Sequence, residues 1–169
     1  VLDHVFMGEA EPAFREFLRR VKAGQPTTDI PGVTWWDGDR LHLLPGGPLA
    51  DLADSPAPDY DDFFAERDRV RTGTGRIFNI EFLPFEGSRG CINPDLMGLR
   101  EKPVDRVVSE MVSLSQRYRV VSLTASDYIV SRKHRRELFG RLAELDLDIE
   151  RFYEVRPDLH KDERAPVQR

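Results

Sequence analysis

The chain has 169 residues, of which 40% are hydrophobic and 33% are charged, a composition typical of globular proteins and not of disordered ones. A net charge of −5 offers no basic surface for nucleic acid, and no apolar run reaches the roughly 20 residues that span a bilayer. We therefore expect neither a nucleic acid nor a membrane as a partner. The single cysteine, Cys91, excludes an intramolecular disulfide and favours a cytoplasmic protein.

The first 25 residues predict a strand followed by an amphipathic helix. The chain starts at Val1 and not at a methionine, so we expect this start to lie inside a domain. The apolar segment Val5–Met7 predicts the strand, and Gly8–Glu9 begins the turn after it. Gly24 and Pro26 end the helix, since glycine favours the C-terminal cap and proline cannot continue the hydrogen bonding. The apolar face of this helix has the spacing i, i+3, i+4, i+7: Phe14, Phe17, Leu18 and Val21.

Residues 26–76 have the composition of a linker, because they contain six of the twelve prolines of the chain. Within them, Asp37–Asp39 reads Asp-Gly-Asp between the extended runs Val33–Trp36 and Arg40–Leu44, and Asp-Gly in such a position predicts a hairpin. The acidic segment Pro58–Asp62 predicts the start of a short helix through Phe63 and Phe64, because carboxylates are favourable at helix N-termini.

Residues 77–169 alternate strand and helix. The predicted strands are Ile77–Phe85, Val120–Ala125 and Ile149–Val155. Apolar stripes predict a helix after each of the first two strands, and Ser131 is placed to cap the second helix. This alternation indicates the α/β class, with neighbouring parallel strands and both helices on one side of the sheet, as in a barrel or a doubly wound sheet.

Ligands of parallel α/β folds bind beyond the carboxyl ends of the strands, so the candidate binding residues lie in the three short segments at the ends of the predicted strands. Cys91 follows the first strand beside Arg89, so it could be a reactive thiolate or a metal ligand, or simply an inert small apolar residue. Asp127 follows the second strand, and Glu154 lies in the third. These two carboxylates could hold a substrate hydroxyl or amine, or could be solvated like most charged side chains near loops.

Taken together, these segments resemble a known family. Phe85–Cys91 reads Phe-Glu-Gly-Ser-Arg-Gly-Cys and resembles the start of the cluster-binding loop of radical S-adenosylmethionine enzymes. Gly8–Glu11 and the helix after it are similar to the end of the cobalamin-binding domain that precedes the radical domain in one branch. Further segments look like the branch that matures ribosomally made peptides, often by C-methylation: Ile92–Tyr118, Arg136–Leu138, Arg141–Glu144 and Phe152–Val155.

The resemblance implies a particular domain organisation. Residues 1–25 would be the C-terminal strand and helix of a Rossmann-like cobalamin-binding domain, and 26–76 a linker with a small hairpin. Residues 77–169 would form the N-terminal part of a radical S-adenosylmethionine barrel, a partial (β/α) barrel.

The resemblance also implies an activity and a site. The activity is that of a radical S-adenosylmethionine C-methyltransferase with a [4Fe-4S] cluster, S-adenosylmethionine and cobalamin as cofactors, a precursor peptide as substrate and an external electron donor. Cys91 would be a cluster ligand, in a loop shaped by neighbours that also belong to the S-adenosylmethionine side. The residues expected on that side are Arg89, Gly90, Asp127, Glu154 and Arg156, and those expected near cobalamin are Gly8 and Glu9.

The chain departs from the family directly after Cys91. The family continues with a loop that contains two more cluster cysteines, whereas here Ile92–Asn93 follows at once. Either the protein is a degenerate, non-catalytic relative that binds a peptide or a partner protein, or the sequence lacks a segment of the natural polypeptide. We favour the second account, because it also explains the start at Val1. The encoding gene, read across the junction between Cys91 and Ile92, would separate the two.

Overall fold

The computed structural model describes residues 3–47, 49–76, 82–90, 98–127, 130–145 and 149–153. The chain divides into two compact units, residues 1–55 and residues 56–169. In the described part of the chain, no helix has both the length and the apolar character needed to cross a bilayer.

The first unit is a three-stranded antiparallel sheet with one helix. Its elements are β1 (His4–Phe6), α1 (Ala10–Lys22), β2 (Val33–Trp36) and β3 (Leu41–Leu43), and the strand order is β1-β2-β3. The predicted hairpin is confirmed: β2 and β3 pair antiparallel, and Asp37 Oδ1 accepts hydrogen bonds from the backbone nitrogens of Asp39 and Arg40, both at 2.9 Å.

The first unit has a small core. Ala13, Ile30 and Val33 are buried, and Phe6 and Phe17 pack against them. The apolar face of α1 is only partly covered, since Phe14 is 45% exposed and Leu18 is 46% exposed.

The second unit is built on a parallel sheet. The strands of this unit are β4 (Leu83–Phe85), β5 (Ser88–Arg89), β6 (Arg100–Glu101), β7 (Ser122–Ala125) and β8 (Glu150–Phe152). Of these, β5 and β6 form a separate antiparallel pair. Its helices are α2 (Asp61–Thr74), α3 (Val104–Tyr118) and α4 (Arg132–Glu144). The sheet order is β4-β7-β8 with both pairings parallel, which confirms the predicted α/β class and its parallel neighbours. Residues 77–81 and 154–155 of the predicted strands lie outside the described residues.

Both helices that follow strands of this sheet cover the same face of it. Leu83 and Phe85 of β4 and Leu123 and Ala125 of β7 alternate with more exposed residues, so their side chains share one face. That face belongs to a single buried cluster with residues of both helices, which also contact one another: Val107, Val108, Met111 and Leu114 of α3, and Leu138, Phe139 and Leu142 of α4. Predicted capping by Ser131 is confirmed, because its side chain accepts a hydrogen bond from His134 N at the start of α4.

The described elements therefore form a mixed α/β structure with a parallel sheet. The barrel, the Rossmann-like origin of β1 and α1, and the division at residues 25 and 76 remain predictions.

Candidate functional site

The chain makes a tight turn directly after β4, and this turn leads into the predicted cofactor loop. Gly87 O accepts a hydrogen bond from Lys102 N at 2.8 Å. Beyond it, β5 pairs antiparallel with β6, with Ser88 opposite Glu101 and Arg89 opposite Arg100. This short ladder fixes the backbone of the Ser-Arg-Gly segment.

Asp127 ties the end of β7 to this turn. Its side chain is buried, 5% exposed; Oδ1 accepts a hydrogen bond from Gly87 N at 2.7 Å, and Oδ2 accepts one from the Ser88 hydroxyl at 3.0 Å. The neighbouring residue strengthens the link, because Ser126 N and Ser126 Oγ both donate to Phe85 O, at 2.8 and 3.0 Å. The carboxyl ends of two adjacent parallel strands are thus joined, at the edge where such sheets bind ligands.

Gly87 is a glycine because of what lies beside it. A Cβ at this position would lie 2.8 Å from Asp127 Oδ2 and 3.3 Å from His134 Cε1. The first distance is well inside van der Waals contact, so only a bare Cα allows the carboxylate to approach.

Gly90 brings the two sides of the β5–β6 ladder together. Its φ of +98° lies in the region that favours glycine, and a Cβ there would lie 1.9 Å from Gly98 O. Arg89, between this glycine and the turn, forms an ion pair with Glu86, with 2.5 Å between Nε and Oε1. The described residues on either side of segment 91–97, Gly90 and Gly98, therefore lie next to each other.

A buried ion pair lies next to the turn. Lys102 is 1% exposed and Glu110 is 2% exposed, and Lys102 Nζ is 2.9 Å from Glu110 Oε2. Arg106 Nε approaches the other oxygen of Glu110 at 3.0 Å. An unpaired charge in the interior would be strongly destabilising, so the burial of these side chains depends on their pairing.

His134 completes the surroundings of the turn. It is 3% exposed, its Nε2 donates to Lys102 O at 3.1 Å, and its Nδ1 has no hydrogen-bond partner among the described residues. His134 and the Lys102–Glu110 pair were not predicted from the sequence, although the helical spacing contains a signal for His134 and Glu110. Glu110 is three residues after Val107, and His134 is four residues before Leu138, so both fall on apolar helix faces.

Tyr153 lies close enough to Asp127 to be affected by its charge. Its ring packs edge-to-face on Phe85 and on Phe139. Burial raises the pKa of the Tyr153 hydroxyl, and the negative charge of Asp127 raises that pKa further. The hydroxyl is therefore protonated at neutral pH and can act only as a neutral donor or acceptor.

The structure brings three of the predicted site residues together. Arg89 and Gly90 directly follow the turn that Asp127 holds. Gly8 and Glu9 lie in the first unit: Gly8 has a φ of +78° before α1, and Glu9 Oε2 accepts a hydrogen bond from Ala50 N at 2.7 Å. Three further predicted residues lie outside the described part of the chain: Cys91, Glu154 and Arg156.

An open groove of about 790 Å³ lies elsewhere in the second unit. It is lined by residues of α3 and α4 together with Leu145, and none of the predicted site residues contributes to it.

The donors of this chain do not fit a cluster held by three thiolates. The sequence contains one cysteine. Among the residues that the structure describes, no group of three or more His, Cys, Asp and Glu side chains is arranged to hold a metal ion. A [4Fe-4S] cluster of the implied kind would need two thiolates in addition to that of Cys91.

Comparison with solved structures gives the class of fold. The chain is similar to the radical S-adenosylmethionine methyltransferase TsrM from Kitasatospora setae with tryptophan substrate and a S-adenosylmethionine analogue bound: the TM-score is 0.65 and the identity 16%, over 95% of this chain and 34% of that chain. TsrM with cobalamin and a [4Fe-4S] cluster bound gives a TM-score of 0.62 at 18% identity, over 95% of this chain and 35% of that chain.

A second enzyme shares the fold. The apo form of OxsB, a cobalamin-dependent S-adenosylmethionine radical enzyme, gives a TM-score of 0.63 at 13% identity, over 96% of this chain and 25% of that chain. The chain therefore spans about a third of TsrM and a quarter of OxsB, and it has the fold of the matching parts of both. No protein-family model and no curated protein sequence matches it.

Proposed function

We propose that this chain is part of a cobalamin-dependent radical S-adenosylmethionine enzyme that matures a ribosomally made peptide by C-methylation. One observation carries the proposal. In a chain with this fold, a Ser-Arg-Gly turn is held by a buried aspartate at the carboxyl ends of two parallel strands. That edge is where a parallel α/β sheet binds its ligands, and the motif is the one expected before a cluster cysteine.

The residues of the chain would then have separate tasks. Arg89 and Gly90 would shape the loop that carries Cys91. Asp127 would act on the S-adenosylmethionine side, together with Glu154 and Arg156. S-adenosylmethionine would supply the methyl group, cobalamin would carry it, and the protein would orient both and exclude water. An external electron donor and the precursor peptide are the proposed partners.

Cobalamin is proposed to lie beside the first unit. Gly8 has open space where a side chain would project, so the backbone at the start of α1 is accessible to a large ligand. Glu9 would lie beside it, with its carboxylate held by the backbone of Ala50.

The proposal is tested first on the sequence of the encoding gene and then by the iron content of the protein. The proposal expects codons for two further cysteines between Cys91 and Ile92. It also expects about four irons per polypeptide after anaerobic reconstitution, with loss of the cluster in Cys91→Ser. Iron and sulfide per chain, measured in parallel for the wild type and the variant, are the readout. A continuous gene and a wild-type protein without iron would contradict the proposal.

A second function is favoured by the single cysteine. The protein would then be a non-catalytic relative that keeps the fold to bind a peptide or a partner protein. In that case precursor peptide should bind with the same affinity to wild type and to Cys91→Ser, without iron. Isothermal titration of the peptide into both proteins, together with their iron content, distinguishes this function from the first, because only the first requires iron.

A further inference from the structure

We infer that Asp127 is a positioning residue, which holds the Gly87–Ser88 turn in place and does not itself bind the ammonium group of S-adenosylmethionine. This inference rests on the proposed function, because it concerns how that same site is built. Each carboxylate oxygen of Asp127 already accepts a hydrogen bond from the protein, Oδ1 from Gly87 N at 2.7 Å and Oδ2 from the Ser88 hydroxyl at 3.0 Å, and the side chain is buried.

Burial supports a structural use of this carboxylate. Asp127 is 5% exposed and Ser88 is 6% exposed, so the interaction is shielded from water. A hydrogen bond to a charged acceptor is stronger than one between neutral groups, and this advantage grows where solvent is excluded. The short approach of Asp127 to Gly87 is possible only because Gly87 has no Cβ.

The turn is fixed from three directions. Asp127, after β7, accepts from the nitrogen of Gly87, and Lys102, after β6, donates to its oxygen at 2.8 Å. His134 of α4 faces its Cα, and His134 is itself held by Lys102 O at 3.1 Å. Three separate elements therefore meet at one glycine.

A displacement of this turn would be passed on along the chain. Ser88 and Arg89 form the ladder with β6, and Gly90 lies so close to Gly98 O that no side chain fits between them. Because such close packing leaves little freedom, loss of the Asp127 hydrogen bonds should displace the entire segment that leads to the cofactor loop.

Two substitutions separate positioning from charge. In Asp127→Asn, the amide oxygen can still accept from Gly87 N, and the NH₂ group can donate to the Ser88 hydroxyl oxygen. The geometry is retained and the charge is lost. Asp127→Ala removes the geometry as well, and leaves a buried amide and a buried hydroxyl without partners.

The experiment uses the full-length protein that the gene encodes, reconstituted anaerobically and labelled with ¹⁵N-glycine. The Gly87 amide shift reports on the hydrogen bond to Asp127, and titration with S-adenosylmethionine reports on binding. Asp127→Asn should keep the low-field Gly87 amide and bind within about twofold of wild type. Asp127→Ala should lose that amide shift and bind about tenfold or more weakly. Asp105→Asn is the matched control, because Asp105 is an exposed carboxylate near Arg141 and its loss should change neither readout.

The outcomes are distinct. If Asp127→Asn binds as weakly as Asp127→Ala while its Gly87 amide is unchanged, Asp127 acts through its charge and the inference is wrong. If the Gly87 amide moves in neither variant, it is also wrong. Should Asp127→Ala not fold, Ser88→Ala replaces it, since it removes one of the two hydrogen bonds and should shift the amides of Gly87 and Gly90 in a folded chain. A reconstituted full-length wild-type protein that does not bind S-adenosylmethionine would contradict the proposed function, and the Gly87 amide alone would then decide the role of Asp127.

Discussion

In residues 56–169 a parallel sheet and two helices share one buried cluster, whereas in residues 1–55 three buried residues hold a helix against an antiparallel sheet. Ion pairs occur in both units but differ in burial. Lys102 and Glu110 of the second unit pair in the interior, while Glu16 of the first unit pairs with Arg19 and Arg20 on the surface. Among the described residues, the ion pair with both partners buried lies in the second unit, which also has exposed pairs such as Arg69–Glu66.

The largest effect should come from the core of the second unit. Phe85→Ala removes a ring that is 1% exposed and should lower the free energy of unfolding by about 4 kcal/mol. Phe14→Ala, in the first unit, removes a ring that is 45% exposed and should cost about 1 kcal/mol or less. Urea unfolding followed by circular dichroism measures both, and equal losses would contradict the contrast between the two units.

The second-largest effect on the free energy of unfolding should come from loss of the buried ion pair. Glu110→Gln leaves the buried Lys102 without its carboxylate and should cost about 3 kcal/mol, because an unpaired interior charge is strongly unfavourable. Glu16→Gln is the control in the first unit, and its smaller effect should vanish at high salt, since exposed ion pairs are screened. Unfolding in low and high salt tests this, and an effect of Glu110→Gln that salt abolishes would show that the pair is hydrated.

Alanine substitutions at two glycines of the second unit should change the stability in opposite directions. Gly90→Ala places a Cβ against Gly98 O at a positive φ and should cost about 2 kcal/mol or more. Gly140→Ala lies inside α4 with open space around it and should stabilise the chain by about 0.5 to 1 kcal/mol. Thermal unfolding of the two variants should therefore shift in opposite directions.

The smallest effect should be the acid sensitivity of the first unit. Hydrogen bonds from Arg19 and then Arg20 lower the pKa of Glu16 to about 2 from an ordinary value of 4.5. Since the pKa is lower in the folded chain, the stabilisation is present above pH 4.5 and is lost as the pH falls toward 2. A carboxyl-detected NMR titration of Glu16 should show this lowered midpoint, and an ordinary midpoint would show that the surface pairs contribute nothing.

Regular patterns in the sequence predicted the elements that bury an apolar face. The alternation of strands and helices gave the parallel order of β4, β7 and β8, and Asp-Gly at 37–38 gave the hairpin of β2 and β3. In both cases the partners are close in the sequence or are related by a crossover rule, so local signals determine the pairing.

Contacts between segments that are distant in the sequence could not be predicted from such patterns. The pairing of β1 with β2, across α1, depends on a contact that no short-range signal marks. The strands β5 and β6 have two residues each, too few for any periodicity. For the site, position after a strand singled out Asp127, but only the fold shows that its two oxygens bind Gly87 and Ser88.

The ladder between β5 and β6 has a consequence for chain length. Because Gly90 and Gly98 are held side by side, the ends of whatever connects them are already at a fixed short separation. The entropy of closing such a connection grows only logarithmically, by about 0.6 kcal/mol for each doubling of its length. Segment 91–97 can therefore be exchanged for one two or three times longer at a cost of about 1 kcal/mol, while the sheet and its helices keep their packing.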